Sequence, residues 1–414
     1  MTDGFRTLDG VDVKGKRALV RVDFNVPLQD GKVSDDTRLE AALPTIRRLR
    51  AGGAKVILIS HFDRPKGKRV PSMSLKPVVG PLEQLLGASV AFAEDCVGET
   101  AGKAVAALHD GDVLLLQNLR FHAGEEANDP AFARELAALG DLYVDDAFSA
   151  AHRAHASTEA IAHLLPAYAG EQMRRELDAL ESALGHPQHP VLGIVGGSKV
   201  STKLDLLHNL IVKLDQLAIG GGMANTFLAA QGWDVAASYC EPELADTARG
   251  IMAFAEARHC ELLLPVDIVV AEQAAPGAAA RVRELGEIDP HERILDAGPK
   301  TVERLCKAMD AAKTLVWNGP LGVFEVPPFD KGTMAAARHA ADLAKAGKLV
   351  AVAGGGDTVS ALNAAQVAGD FTFVSTAGGA FLEWMEGKSL PGVEALKSGP
   401  DTRGTSENEP AGSA

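Results

Sequence analysis

Aromatic side chains are scarce: Phe, Trp and Tyr make up 5% of the 414 residues. The cores must therefore be built from Val, Leu, Ile and Ala, which suits buried parallel strands between helices. Cysteine is scarcer still, at positions 96, 240, 260 and 306, with no C-x-x-C pair. That indicates neither a disulfide framework nor a zinc site, and a cytoplasmic, reducing setting is expected. No run of about 18 apolar residues exists, so no membrane span is expected. The opening MTDGFRTLDG lacks the apolar stretch of a signal peptide. Excess positive charge is also absent: the formal net charge is −14. This argues against nucleic acid as a partner, since such binding rests on a basic surface.

The short signatures of nucleotide enzymes are missing too. A Walker A loop would need glycine where Leu382 precedes Gly387-Lys388-Ser389. Gly220-Gly221-Gly222 and Gly354-Gly355-Gly356 run on to Asn225 and Val359, so neither is a dinucleotide fingerprint. Gly196-Gly197-Ser198-Lys199-Val200 is no nucleophile elbow, and His152-Arg153-Ala154-His155 lacks the zinc-protease spacing.

What is present is alternation. Aliphatic runs such as Arg17–Asp23, Lys55–Ser60, Ser89–Ala93, Asp112–Asn118 and Leu142–Phe148 alternate with helical patterns. The pattern resumes at Val191–Val195, Gln216–Gly220, Glu261–Val270, Arg293–Ala297, Thr314–Asn318, Lys348–Ala353 and Phe371–Ser375. Such spacing predicts βαβ units, hence an α/β protein with two doubly wound, Rossmann-like parallel-sheet domains. In the first crossover, Ser34 or Asp35 is a candidate cap and Gly52 a candidate stop. The charged helical stretch at 170–185 reads as a connecting helix. We therefore expect domains at 1–170 and 188–385, a hinge at 171–187, and a mobile polar tail at 397–414.

Ligands of open α/β sheets bind beyond the carboxyl ends of the strands. In the first half those ends carry Asp23-Phe24-Asn25, His61-Phe62-Asp63-Arg64, Asn118-Leu119-Arg120 and His152-Arg153, with Arg38 nearby. One arginine would decorate a loop. Four at successive strand ends suit a doubly anionic ligand, because guanidinium donates paired hydrogen bonds. This half is also the less acidic, with 20 basic against 23 acidic residues up to position 170, versus 21 against 32 beyond it. In the second half the ends are glycine-rich: Gly196-Gly197-Ser198-Lys199, Gly220-Gly221-Gly222, Asn318-Gly319-Pro320, Gly354 to Thr358, and Ser375 to Gly379. Glycine lets amides approach a phosphate, and each turn is expected to open a helix. Lys199 and Lys203, four apart, would share a helix face. Asp357 is a natural Mg²⁺ ligand. For any single glycine pair, tight strand-to-helix packing is the simpler explanation; five turns together favour a nucleotide.

The strings RVDFNVP, SHFDRP, NLRFH, DDAFSAAHRAHAST, GGSKVSTKL, GGGMANTF, VWNGPLGVFE, GGGDT and STAGGAFLEWMEGKSLPGV, in this order, resemble the phosphoglycerate kinase family from about residue 5 to 396. The resemblance implies two domains joined by a helix, a cleft between them, and a segment at 386–396 returning to the first domain. It implies an enzyme moving a phosphoryl group between 1,3-bisphosphoglycerate and MgADP, and a monomer with small-molecule partners only. Asp23, Phe24, Asn25, Arg38, His61, Phe62, Asp63, Arg64, Arg120, His152 and Arg153 would line the acid site. Lys199, Lys203, Gly221, Asn318, Pro320, Glu325, Gly355, Gly356, Asp357 and Thr358 would hold the nucleotide. Glu325 would face the ribose, Asp357 the metal and Thr358 a phosphate oxygen. Arg38, Lys199, Gly378 and Gly379 would flank the moving group. Another nucleotide-dependent carboxylate kinase, or a non-catalytic nucleotide-binding protein of the same fold, are the competing readings.

Some positions depart from the usual pattern. Phe62-Asp63 stands for Leu-Gly, which places a carboxylate that must point away or pair with a base. Ala377 stands for a third glycine and would be strained at positive φ. Ser149 and Ser198 replace other small residues and should be tolerated.

Overall fold

The structure, a computed structural model, describes residues 4–398. By internal packing the chain forms two compact units, one running to Leu177 and resuming at Ser389, the other spanning Asp178–Lys388.

The first unit is built on six strands: β1 (Arg17–Arg21), β2 (Lys55–Ile59), β3 (Val90–Ala93), β4 (Val113–Leu116), β5 (Leu142–Asp145) and β6 (Ala167–Ala169). They form one parallel sheet in the order β3-β4-β2-β1-β5-β6. Arg17 lies opposite Lys55 and Arg21 opposite Ile59, so neighbouring strands finish level. That register gathers the following loops at one edge. The strands β1 and β2 are joined through helix α1 (Thr37–Ala51), which buries Leu39, Leu43, Ile46 and Leu49. Asp35 accepts a hydrogen bond from the Thr37 amide (2.9 Å). Gly52 ends the helix, and a Cβ there would lie 2.6 Å from Val13, so no side chain fits without movement.

Helix α2 (Glu171–Leu180) continues into one π-helical turn, Glu181–Gly185, and the division between the units falls within α2.

The second unit adds β7 (Val191–Val195), β8 (Gln216–Ile219), β9 (Glu261–Leu263), β10 (Asp267–Ala271), β11 (Arg281–Glu284), β12 (Arg293–Ala297), β13 (Thr314–Asn318), β14 (Val350–Gly354) and β15 (Phe373–Ser375). Six of these form a second parallel sheet, β9-β8-β7-β13-β14-β15. The remaining three make an antiparallel sheet, β11-β10-β12. Two expectations are corrected here. The run Glu261–Val270 is two strands in different sheets; Pro265 separates them, and proline cannot donate to a ladder. Arg293–Ala297 belongs to the antiparallel sheet, not the parallel one. The third strand of that sheet, β11, is mostly exposed and polar, so it gives no aliphatic signal.

After Lys388 the chain rejoins the first unit. Helix Pro391–Ser398 is anchored there by a hydrogen bond from the Gly392 amide to the Ala151 carbonyl (2.9 Å). Lys397 and Ser398 are therefore helical, while the tail expected from 399 onward lies outside the described residues. Among the described residues no helix is long and apolar enough to cross a membrane.

The strand ends of the second sheet touch backbone to backbone. A Cβ on Gly196 would lie 1.9 Å from the Pro320 carbonyl oxygen, one on Gly319 2.3 Å from the Gly196 oxygen, and one on Gly221 2.6 Å from the Gly197 oxygen. A Cβ on Gly356 would meet nothing within 4 Å. Gly196→Ala should therefore lower stability by about 2 kcal/mol or more through overpacking, whereas Gly356→Ala should change it by less than about 1 kcal/mol. Urea unfolding of both variants followed by circular dichroism tests this; equal losses would contradict it.

Candidate active site

The first unit places its polar residues around the level ends of β1, β2, β4 and β5. Asp23 is the centre. Its Oδ2 accepts from Arg38 Nη1 (2.8 Å) and from the Ser149 hydroxyl, and its Oδ1 accepts from the Asn25 amide (3.0 Å). Burial works against this carboxylate, but the Arg38 charge with the Ser149 hydroxyl and the Asn25 amide holds it below the usual range. Arg38 reaches in from the first turn of α1 and also donates to the Asn25 carbonyl (3.0 Å). Both bonds come from Nη1, so the rest of the guanidinium is left for a ligand.

His61 follows β2 and is buried. Its Nδ1 lies 3.0 Å from Nη2 of buried Arg21. A guanidinium can only donate, so Nδ1 is the acceptor and the ring proton sits on Nε2. Burial pushes the imidazole well below its ordinary value, helped by Arg21, Arg120 and Arg38 against the pull of Asp23. His61 is thus a neutral donor among cations. Arg120 follows β4, is buried, and donates to the Asp63 carbonyl (2.8 Å). Its Nε forms an ion pair with Glu126 (3.4 Å) but has no hydrogen-bond partner. Arg64 and Arg153 are exposed and His152 is half-buried at the same edge.

Phe24 and Phe62 are buried in the core. The Phe24 amide donates to Ser60 Oγ (2.9 Å) and the Phe62 amide to Asn118 Oδ1 (3.0 Å). They form the floor under the polar residues and offer a ligand no side-chain contact. Arg21, Ser60 and Asn118 are absent from the expected site residues, yet they hold the site. They fall within the strings RVDFNVP, SHFDRP and NLRFH, but a buried supporting role leaves no separate sign in the sequence.

In the second unit the ends of β7, β8 and β13 surround a cavity of about 620 Å³. Gly197, Gly221, Pro320, Glu325 and Asp357 line it, with Ala224, Tyr239, Leu295 and Val323 among the apolar residues of the wall. Leu295 and its neighbours come from the antiparallel sheet, which the strand-end reading could not place. Asp296, also lining, accepts from the Gly332 and Ala297 amides (2.7 and 2.9 Å), while burial pushes its carboxyl up to about 7.

Lys203 and Asn318 meet beside this cavity, the Lys203 ammonium donating to Asn318 Oδ1. Burial pushes the Lys203 amine down to about 8, against the pull of Asp357 and Glu386. Asn318 Nδ2 donates to the Gly354 carbonyl (2.8 Å), and the Thr358 hydroxyl accepts from the Gly319 amide (2.7 Å). Both side chains are buried, so they tie the β13 and β14 turns together.

Two further expectations need correction. Lys199 and Lys203 do not share a helix face: Lys199 is in an irregular loop and Lys203 precedes helix α3 (Leu204–Ile211). Nor does every glycine turn open a helix. Gly221, Gly355 and Gly378 precede helices α4 (Gly222–Ala230), α5 (Gly356–Ala364) and α6 (Gly379–Met385). The turns at Gly196 and Gly319 lead into irregular chain, and their glycines are accounted for by their mutual contact.

Comparison with known proteins matches this arrangement to one family model, described as phosphoglycerate kinase, over residues 8–388. The chain belongs to the phosphoglycerate kinase family. It is 70% identical to the Caulobacter vibrioides (strain NA1000) phosphoglycerate kinase, covering 95% of this chain and 100% of that one. It is 62% identical to that of Bradyrhizobium diazoefficiens, covering 96% and 100%. The solved phosphoglycerate kinase of Coxiella burnetii, at 41% identity, superposes with a TM-score of 0.89 over 95% of this chain and 98% of that one. That of Pyrococcus horikoshii, at 29%, gives 0.76 over the same shares.

The departures from the family pattern have physical accounts. Asp63 has φ +53°, which explains glycine as the common residue there. Among the described residues its carboxylate pairs with no base; Oδ1 accepts from the Arg64 amide (2.9 Å). Aspartate is among the residues that tolerate this conformation. Ala377 is not at positive φ; Gly378, at +53°, takes the left-handed position. The alanine is buried and unstrained there.

The shielding of His61 is testable. Long-range ¹H–¹⁵N spectra should show a ring protonated on Nε2 and still neutral at pH 6, below the ordinary histidine value. An imidazolium pattern at pH 6 would contradict the assignment.

Proposed function

We propose that the polar edge of the first unit binds 3-phosphoglycerate or 1,3-bisphosphoglycerate, and that the cavity of the second binds ADP or ATP. The enzyme is a phosphoglycerate kinase: it transfers a phosphoryl group reversibly from 1,3-bisphosphoglycerate to ADP. The observation that carries the residue-level reading is the cavity at the ends of β7, β8 and β13. Its size falls in the range of small-ligand sites. An apolar wall on one side suits a base, while Lys203, Asp357 and the open Gly356 turn suit phosphates. Glu325 would accept hydrogen bonds from the ribose hydroxyls.

Magnesium would be held by Asp357. The fit rests on the donor set: one exposed carboxylate at a helix start, outside any cluster of three or more acids, histidines or cysteines among the described residues. Mg²⁺ in nucleotide enzymes is commonly bound by one or two carboxylates plus substrate phosphates. When bound, it would neutralise phosphate charge.

The transfer needs no side-chain nucleophile. Towards ATP, a β-phosphate oxygen of ADP attacks the acyl phosphorus, the bond to the acyl oxygen breaks, and the carboxylate of 3-phosphoglycerate leaves. The protein supplies position and charge. Arg38, already oriented by Asp23 and Asn25, would steady the moving group from the acid side. Lys199, exposed on its loop, would do so from the nucleotide side, with amides of Gly378 and Gly379. His61, Arg64, Arg120, His152 and Arg153 would grip the acid. Because the two groups of residues belong to different units, turnover would require domain closure, which would also exclude water.

A coupled assay with 3-phosphoglycerate and ATP tests the reaction; nucleotide binding without ADP formation would favour a non-catalytic role. Arg38→Ala and Lys199→Ala should each lower turnover by roughly 10³-fold or more, by analogy with arginine fingers, with modest change in ligand affinity. Arg64→Ala should mainly raise the Michaelis constant for the acid. Near-normal turnover in either of the first two variants would remove that residue from the transfer step.

The Lys203 amine adds a pH dependence. Phosphate favours the ammonium form, which the free protein loses as pH rises through about 8. Above that, binding must take up a proton, so ATP affinity should fall by up to about tenfold per pH unit. Calorimetry from pH 7 to 9.5 should show this slope in the wild type and lose it in Lys203→Arg.

A further inference from the structure

One cluster of metal-binding atom types lies outside the proposed phosphoryl-transfer site. Asp95 and Cys96 follow β3, and His122 follows the short helical turn after β4. A carboxylate oxygen, the thiol sulfur and an imidazole nitrogen of these residues all lie within 4.8 Å of one another. β3 and β4 are paired neighbours, so their register brings these two loops together.

The geometry points to a binding site for a divalent transition ion of the zinc type, held by Asp95 Oδ, Cys96 Sγ and His122 Nε2. Sulfur, imidazole and carboxylate are the donor types that zinc takes, at bond lengths of about 2.0–2.3 Å. Tetrahedral donors around such an ion stand about 3.5 Å apart, so small side-chain shifts would complete the set. The three protein donors leave a fourth position for water. Cys96 is fully buried and forms the floor; Asp95 and His122 are each about a third exposed and leave an entry path.

The surroundings support this. His122 Nε2 and Asp95 Oδ1 are 2.7 Å apart, already aimed at each other. The His122 ring is held by stacking on Phe132, with centroids 5.2 Å apart. Burial, then the carboxylates of Asp95, Glu125 and Glu135, push the Cys96 thiol well up, so an ion must displace its proton to bind. One group opposes: Arg69 Nη1 lies 3.6 Å from Asp95 Oδ2. Its side chain is half exposed and can swing away. On binding, the thiol proton passes to water and the His122–Asp95 hydrogen bond is exchanged for two metal bonds. If Nε2 carries the ring proton, it moves to Nδ1.

The donor set excludes Mg²⁺, which prefers oxygen alone. Such an ion would tie the loop after β3 to the loop carrying Arg120, two residues before His122.

The full-length protein, freed of metal with a chelator and kept reduced, should be titrated with Co²⁺. The expected result is a near-ultraviolet thiolate-to-cobalt band that saturates at one equivalent, is removed by Zn²⁺, and persists in excess Mg²⁺. The band should vanish in Cys96→Ser and weaken at least tenfold in apparent affinity in His122→Ala, which replaces a partly exposed side chain and should fold. Cys240, Cys260 and Cys306 belong to the other unit, so a band that survives Cys96→Ser arises elsewhere and overturns the proposal. Absence of any band in folded wild-type protein would overturn it as well.

Discussion

A buried asparagine at the end of an inner strand must satisfy an amide that water cannot reach, and the polar cluster of each unit is assembled around one. Asn118 takes the Phe62 amide on Oδ1 and gives Nδ2 to the carbonyls of Phe62 and Met73 (2.7 and 2.9 Å). Asn318 takes Lys203 on Oδ1 and gives Nδ2 to Gly354. An unsatisfied buried amide costs about 1–3 kcal/mol. The two side chains therefore fix where neighbouring loops can lie, and with them the carbonyl that orients Arg120 and the position of Lys203.

Electrostatics follows from that geometry. The first unit collects cations at one sheet edge, which would repel one another without internal counter-charges. Asp23 serves Arg38 directly. Fully buried Glu125 serves the rear: it accepts from the Ser157 amide and hydroxyl (3.0 and 2.6 Å), while Arg21 Nε donates to the same hydroxyl (3.0 Å). Arg21 in turn directs the lone pair of His61. The ring is kept neutral because a further positive charge would be both desolvated and surrounded by cations. An anionic ligand would relieve this repulsion, so the same charges that strain the free site would favour the complex.

How much of this is readable from the sequence depends on the physical signal involved. Buried parallel strands announce themselves as aliphatic runs, so the two sheets and the strand-end loops are legible. Arg38, His61 and Arg120 can be picked out because basic residue types recurring at or near successive strand ends are hard to explain otherwise. The antiparallel sheet is not legible, because β11 is exposed and β10 merges with β9 across Pro265 into one apparent run. Its contribution to the cavity wall is hidden with it. The loop from Gly196 to Lys203 reads as helical because a spacing of four is a helix signal only where the backbone is a helix. Asp95, Cys96 and His122 carry no metal-binding motif, since their proximity arises from strand pairing and not from chain spacing.

The glycines show where sequence and function separate. Many glycines at strand ends suggest phosphate binding, but several are required by the protein itself. At Gly196, Gly319 and Gly221 the space for a side chain is filled by neighbouring backbone, whatever ligand is present. At Gly356 and Gly378 nothing lies within 4 Å of the place a Cβ would take, and Gly378 alone of these two has positive φ. Gly378 thus has a conformational reason to be glycine. Gly356 has neither a steric nor a conformational one. A glycine that the free protein does not need is best explained by something that approaches it, and the position of Gly356, one residue before Asp357 at a helix start, makes a phosphate the natural candidate.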